Sequence, residues 1–143
     1  MNSCENTILP SSLLSWRLDR ELPLNVENTQ LCTKSVIVVL PLHRPEGKDK
    51  EADIQLIEVK VGTLKNVVQA IYDFYQMPLT MDDLEILRKH ESSNQQYTEF
   101  RRELQSGESA LKKYQMLPQR YRNFGGLIPL YYQDDKRVYL LAQ

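Results

Sequence analysis

At 143 residues, with 41% hydrophobic and 26% charged side chains, the chain has the size and composition of one globular domain that can bury a core without staples. A net charge of -1 excludes a global field drawing it onto nucleic acid or an anionic membrane. With 5 glycines and 7 prolines, collagen-like and linker-like order are excluded too.

Cys4 and Cys32 form no CxxC pair and no zinc-spaced cluster, so reduced thiols in an intracellular compartment are expected. No apolar N-terminal run reads as a signal peptide. The apolar run Val36 to Leu40 is far too short to span a bilayer. The expectation is a soluble intracellular protein with no membrane contact.

In chain order, residues 1–34 form an irregular arm and residues 35–143 a single α+β domain. Within the arm, Leu13, Leu14, Trp16 and Leu18 lie between Pro10 and Pro23, with room for a short helix from Ser11 to Arg20. The arm is expected to pack on the body or on a partner. Val36 to Leu40, bounded by Pro41, reads as a strand buried on both faces. A charged loop from His43 to Asp53 follows. A second strand carries Ile54, Leu56, Ile57 and Val59, and the two strands pair as an antiparallel hairpin.

Thr63 is placed to cap a helix whose apolar side is Leu64, Val67, Val68, Ile71 and Tyr75, and Pro78 stops it. Thr80 and Asp83 form a capping box, with Asp for the usual Glu, opening a second helix through Leu84, Ile86 and Leu87. Glu91 to Gln96 is a polar break. A third helix spans Tyr97 to Leu104, and a last short one runs from Ala110 to Leu117, closed by Pro118. After Gly125-Gly126, strands Leu127 to Tyr132 and Arg137 to Leu141 flank a hairpin loop at Gln133 to Lys136.

The fold class is therefore α+β: hairpin, helices, hairpin, in one mixed or antiparallel sheet with helices on one face. This order resembles that of the β-grasp family, which includes ubiquitin-like domains, with extra helices between Thr80 and Pro118. A second resemblance rests on Val61 to Leu87. Its Ala70-Ile71-Tyr72-Asp73-Phe74-Tyr75, Pro78-Leu79-Thr80 and Asp83-Leu84-Glu85, with the later Phe124-Gly125-Gly126-Leu127, are similar to a segment in small proteins of large DNA viruses. That resemblance implies a virion component or host-interaction protein, located in the cytoplasm or nucleus of a host cell or in the virion. It carries over no catalytic residue.

Chemistry is thinly represented, and no catalytic residue, metal or cofactor is assigned. Glu58-Val59-Lys60 looks like the E-x-K half of a PD-(D/E)xK metal-dependent nuclease site, with Glu46, Asp49 or Asp53 as the upstream acid. Strand alternation equally makes Glu58 and Lys60 a solvated face. Asp82-Asp83 suits a helix N-terminus and Asp134-Asp135 a turn. Neither His43 nor His90 belongs to a nucleophile motif.

Binding residues are better represented. From 101 to 122 the bases Arg101, Arg102, Lys112, Lys113, Arg120 and Arg122 face only Glu103 and Glu108, with Tyr114 and Tyr121 interleaved. Such a stretch can hold phosphates and stack bases, or meet an acidic protein surface. Tyr131, Tyr132 and Tyr139 lie in the final hairpin, where alternation exposes at least one, and exposed tyrosines favour binding surfaces. The leading expectation is a non-catalytic module with a protein partner; nucleic-acid contact and the nuclease are the alternatives.

Overall fold

A computed structural model describes residues 7–31, 34–43, 53–89, 94–107, 110–133 and 136–143; the side chains of Tyr132 and Gln133 lie outside that set. Strands β1 (Val36–His43), β2 (Asp53–Val59), β3 (Leu127–Gln133) and β4 (Lys136–Leu141) form one sheet in the order β2-β1-β4-β3. The two hairpins β1–β2 and β3–β4 are antiparallel, and they join through a parallel central pair, β1–β4. This is the mixed α+β arrangement that the hairpin, helices, hairpin order implies.

Helix α1 (Leu64–Gln76) begins where Thr63 Oγ1 accepts a hydrogen bond from the Asn66 amide, 3.3 Å away. It buries Leu64, Val67, Val68, Ile71, Phe74 and Tyr75, one stripe at helical spacing. It ends at Met77, which takes an extended conformation ahead of Pro78. Helix α2 (Met81–Arg88) opens with the reciprocal Thr80–Asp83 capping box. Helix α3 (Asn94–Gln105) packs beside α2 with Tyr97, Phe100 and Leu104 half-buried.

The core lies between α1 and one face of the sheet. Val36, Val38, Leu40 and Leu42 of β1 are fully buried there, and Ile57 and Tyr139 stand beside Val38 in register. The Tyr75 hydroxyl donates to the Pro41 carbonyl at 2.5 Å, tying α1 to β1. Burial pushes its pKa well above the usual tyrosine range.

The N-terminal segment shares this core. Leu13, Trp16, Leu18 and Val26 are buried in the same cluster as the helix and strand residues. Trp16 packs against Phe124, with ring centroids 5.2 Å apart. Single bridges link Ile8 to Leu127, Arg17 to Asn123, and Gln30 to Thr63. The first bridge requires Gly126: at φ +102° an added Cβ would come within 2.7 Å of the Ile8 carbonyl oxygen.

Four local expectations change. The helix from Ser11 to Arg20 is a single 3-10 turn, Ser11–Leu13, followed by turns. The helix from Ala110 to Leu117 is a 3-10 segment, Lys113–Met116, with another, Gln119–Tyr121, after Pro118. Pro118 closes the second of these segments, as a proline that cannot continue a helix. The third helix starts at Asn94, so the polar break before it is shorter than expected. Finally, β1 continues through Pro41 to His43, where the register shifts, and it is not equally buried on its two faces. Proline is tolerated in a strand beside such an irregularity.

Candidate functional site

Registering the strands sorts their side chains into two faces. Opposite the core, Leu56, Val39, Leu140 and Ile128 form one row across all four strands. On one side of it runs a second row of Glu58, Ile37, Val138 and Tyr131, and on the other Ile54 sits beside Pro41. None of these side chains belongs to the core cluster. Ile54 is 55% exposed, Leu56 62% and Tyr131 56%; Ile37, Val39, Ile128 and Leu140 are half-buried, and Val138, at 2%, and Pro41 are buried.

At a bulge between Pro129 and Tyr131, Leu130 adds another exposed apolar side chain, on β3. At the opposite end a cleft of about 290 Å³ opens between Pro41, Ile54, Ile128 and Leu140, walled by Tyr121 and Gln143. Burying Leu56 or Ile54 completely is worth about 1.5–3 kcal/mol each. The fold forgoes that gain on this face and collects it on the other.

Charge on the face is balanced. Glu58 forms an ion pair with Lys136 across β1. Lys60 is exposed just beyond the end of β2, and Asp53 lies at the other end of that strand, roughly 16 Å from Glu58 at strand rise. Glu46 and Asp49, the other acids considered for an E-x-K site, lie outside the described residues. So do Cys4, Cys32, His90, Asp134 and Asp135. Among the described residues, no group of three His, Cys, Asp or Glu side chains could hold a metal ion. His43 is buried at the end of β1, with Nδ1 2.9 Å from the Met116 carbonyl oxygen.

The basic stretch does not gather into one surface. Lys113 is buried, its Nζ 2.8 Å from Asp83 Oδ2 and 5.7 Å from the centre of the Phe74 ring. Lys112 donates to Gln76 Oε1 at 3.0 Å. Arg122 donates to the Leu117 carbonyl at 3.0 Å and stands over the Tyr114 ring; burial lowers its pKa, opposed by Asp19. Arg120 stacks on Tyr121. Arg101 and Arg102 stand exposed on α3, where with Tyr97, Thr98 and Gln105 they border a shallow groove of about 230 Å³.

The tyrosines also separate. Tyr131 is on the open face, Tyr139 is in the core, and the Tyr132 side chain is outside the described set. The row Leu56–Val39–Leu140–Ile128 was not singled out from sequence. Its trace there is the lack of alternation in β2, where Ile54 and Leu56 fall on one face and Ile57 and Val59 on the other.

No described helix is long and apolar enough to cross a membrane. Compared with known proteins, the chain matches no family model, no curated protein and no solved structure.

Proposed function

We propose that the chain is a non-catalytic protein-interaction module whose contact surface is the open face of the sheet, in keeping with the virion or host-interaction role that the viral resemblance implies. The observation that carries this reading is the apolar row Leu56–Val39–Leu140–Ile128, flanked by exposed Ile54 and Tyr131. The face offers on the order of 500 Å² of apolar surface, within the range of the largest patch on an ordinary monomer. The largest apolar patch on a monomer is often functional.

The test is capture of partners by the full chain and by Ile54→Glu and Leu56→Glu, each checked for unchanged circular dichroism. Partners held by the native chain should be lost from both variants. An identical captured set from all three proteins would remove the sheet face from consideration.

A second reading, contact with nucleic acid, draws on Arg101 and Arg102, adjacent and exposed on α3 beside Thr98 and Gln105. Two phosphate contacts correspond to a slope of log affinity against log salt near about -2. An affinity independent of salt, or unchanged in Arg101→Ala/Arg102→Ala, would rule it out.

A further inference from the structure

We infer that two copies of this chain join edge to edge, β2 against β2, antiparallel about a two-fold axis at Leu56, so that the two four-stranded sheets become one continuous sheet. The inference rests on the backbone of β2. It leaves the open face uncovered, so it stands or falls apart from the reading of that face.

The two edges of the sheet are finished differently. At β3, Pro129 removes a donor and the bulge at Leu130 breaks the register. Ile8 also occupies the backbone of Leu127 through hydrogen bonds of 2.8 and 2.9 Å. These are the devices that keep an edge from recruiting another strand. Strand β2 carries none of them. Its seven residues include no proline and no lysine. The irregularity in its ladder with β1 places the extra residue, Leu42, on β1. From Ile54 to Val59 the one charged side chain is Glu58, which is neutralised by Lys136.

The edge is also unoccupied. Among the described residues, the backbone from Ile54 to Val59 pairs with β1 and with nothing on its outer side. A row of amide and carbonyl groups left in that state is a template for an extended segment. The backbone therefore dictates the chemistry of the occupant, which is a strand.

Register selects the strand of a second copy. Leu56 is the midpoint of Asp53–Val59 and the most exposed apolar side chain on β2, at 62%. Antiparallel pairing about that point aligns the whole of both strands. Leu56 then faces its own counterpart, Gln55 faces Ile57 of the second copy, and Ile54 faces Glu58 of the second copy. No like charges are opposed. Moving the axis to Gln55 or Ile57 shortens the ladder and parts the two leucines. The row Leu56–Val39–Leu140–Ile128 stops at the β2 edge within one chain, and the axis at Leu56 carries it on into the same row of the other. Both strands are already held extended by β1, so neither incurs the ordering cost of a free peptide. A single ladder of seven residues buries less than the about 800 Å² per partner of a standard interface, which makes the dimer weak and reversible.

The test is sedimentation velocity of the full chain from micromolar to millimolar concentration. The native chain should pass from monomer to dimer. Leu56→Lys, which opposes two ammonium groups on the axis, should weaken the dimer at least tenfold. Ile128→Lys, on the far strand and the open face, should dimerise as the native chain does. A second measurement does not depend on the lysine variant folding. With Cys4→Ser and Cys32→Ser as background, Leu56→Cys should cross-link to a covalent dimer on mild oxidation, because directly opposed Cβ atoms stand about 4.5–5.5 Å apart. Ile54→Cys should not, because its counterpart lies four residues, about 13 Å, along the strand. A chain that stays monomeric throughout, or cross-linking of Ile54→Cys as fast as Leu56→Cys, would overturn the pairing. So would a dimer dissolved by Ile128→Lys, which would assign the contact to the open face. Partner capture abolished by Ile54→Glu in a chain that never dimerises would keep the face reading and overturn this one.

Discussion

The two faces of the sheet are built from the same four strands and much the same residue types, yet they have different fates. Val36, Val38, Leu40 and Leu42 are sealed under α1, while Ile37 and Val39, their immediate neighbours in the chain, remain half-covered. The difference shows that apolar composition does not make a core. A layer laid over it does, and here α1, α2 and the N-terminal segment share one buried cluster with the covered face. Stability is thus invested on one face, and the other is left with surface that stability does not require.

The largest effect that tests this contrast is expected where the covering layer is pinned by charge. Asp83→Ala leaves the buried Lys113 ammonium without its carboxylate and removes half of the α2 capping box, so a loss of about 4 kcal/mol is expected in denaturant unfolding. On the covered face, Leu40→Ala should cost about 3 kcal/mol. If Leu56→Ser costs as much as Leu40→Ala, the contrast between the faces collapses.

Thr63→Ala removes the cap of the covering helix and should lower stability by about 1 kcal/mol, read from the urea midpoint. Tyr75→Phe removes the bond to the Pro41 carbonyl at a similar cost of about 1 kcal/mol. It should also flatten the alkaline limb of stability. Burial raises the folded-state pKa of this tyrosine, so its contribution is complete below the ordinary value of about 10 and declines as pH rises beyond it. An alkaline limb of equal steepness in Tyr75→Phe would assign that limb to other groups. The smallest effect belongs to the open face, where Leu56→Ser should change stability by less than about 0.5 kcal/mol.

Much of the local structure was legible because its causes are local. Thr63 and Thr80 stand one residue ahead of their helices, Pro78 ends the first, and the β-branched run at Val36 pairs with the strand ending at Val59. The site was not legible because its cause is tertiary. An unbroken apolar run such as Val36 to Leu40 implies burial on both sides, and nothing within the run tells that only one side receives a cover. Lys113 misleads in the opposite sense. Within its own segment it is one more base among solvated bases, and only Asp83, thirty residues earlier, draws it into the interior. Tyr139 and Tyr131 lie eight positions apart in one hairpin, but the bulge at Leu130 and the pleat send them to opposite sides.

The parallel pairing of β1 with β4 has a consequence for biosynthesis. Val36 meets Arg137 only after about a hundred intervening residues have left the ribosome, so the centre of the sheet cannot close before β4 emerges. Until then β1 has β2 on one flank and an open hydrogen-bonding edge on the other. A nascent chain in that state presents a ready template for association, and a holding chaperone would have its longest engagement there.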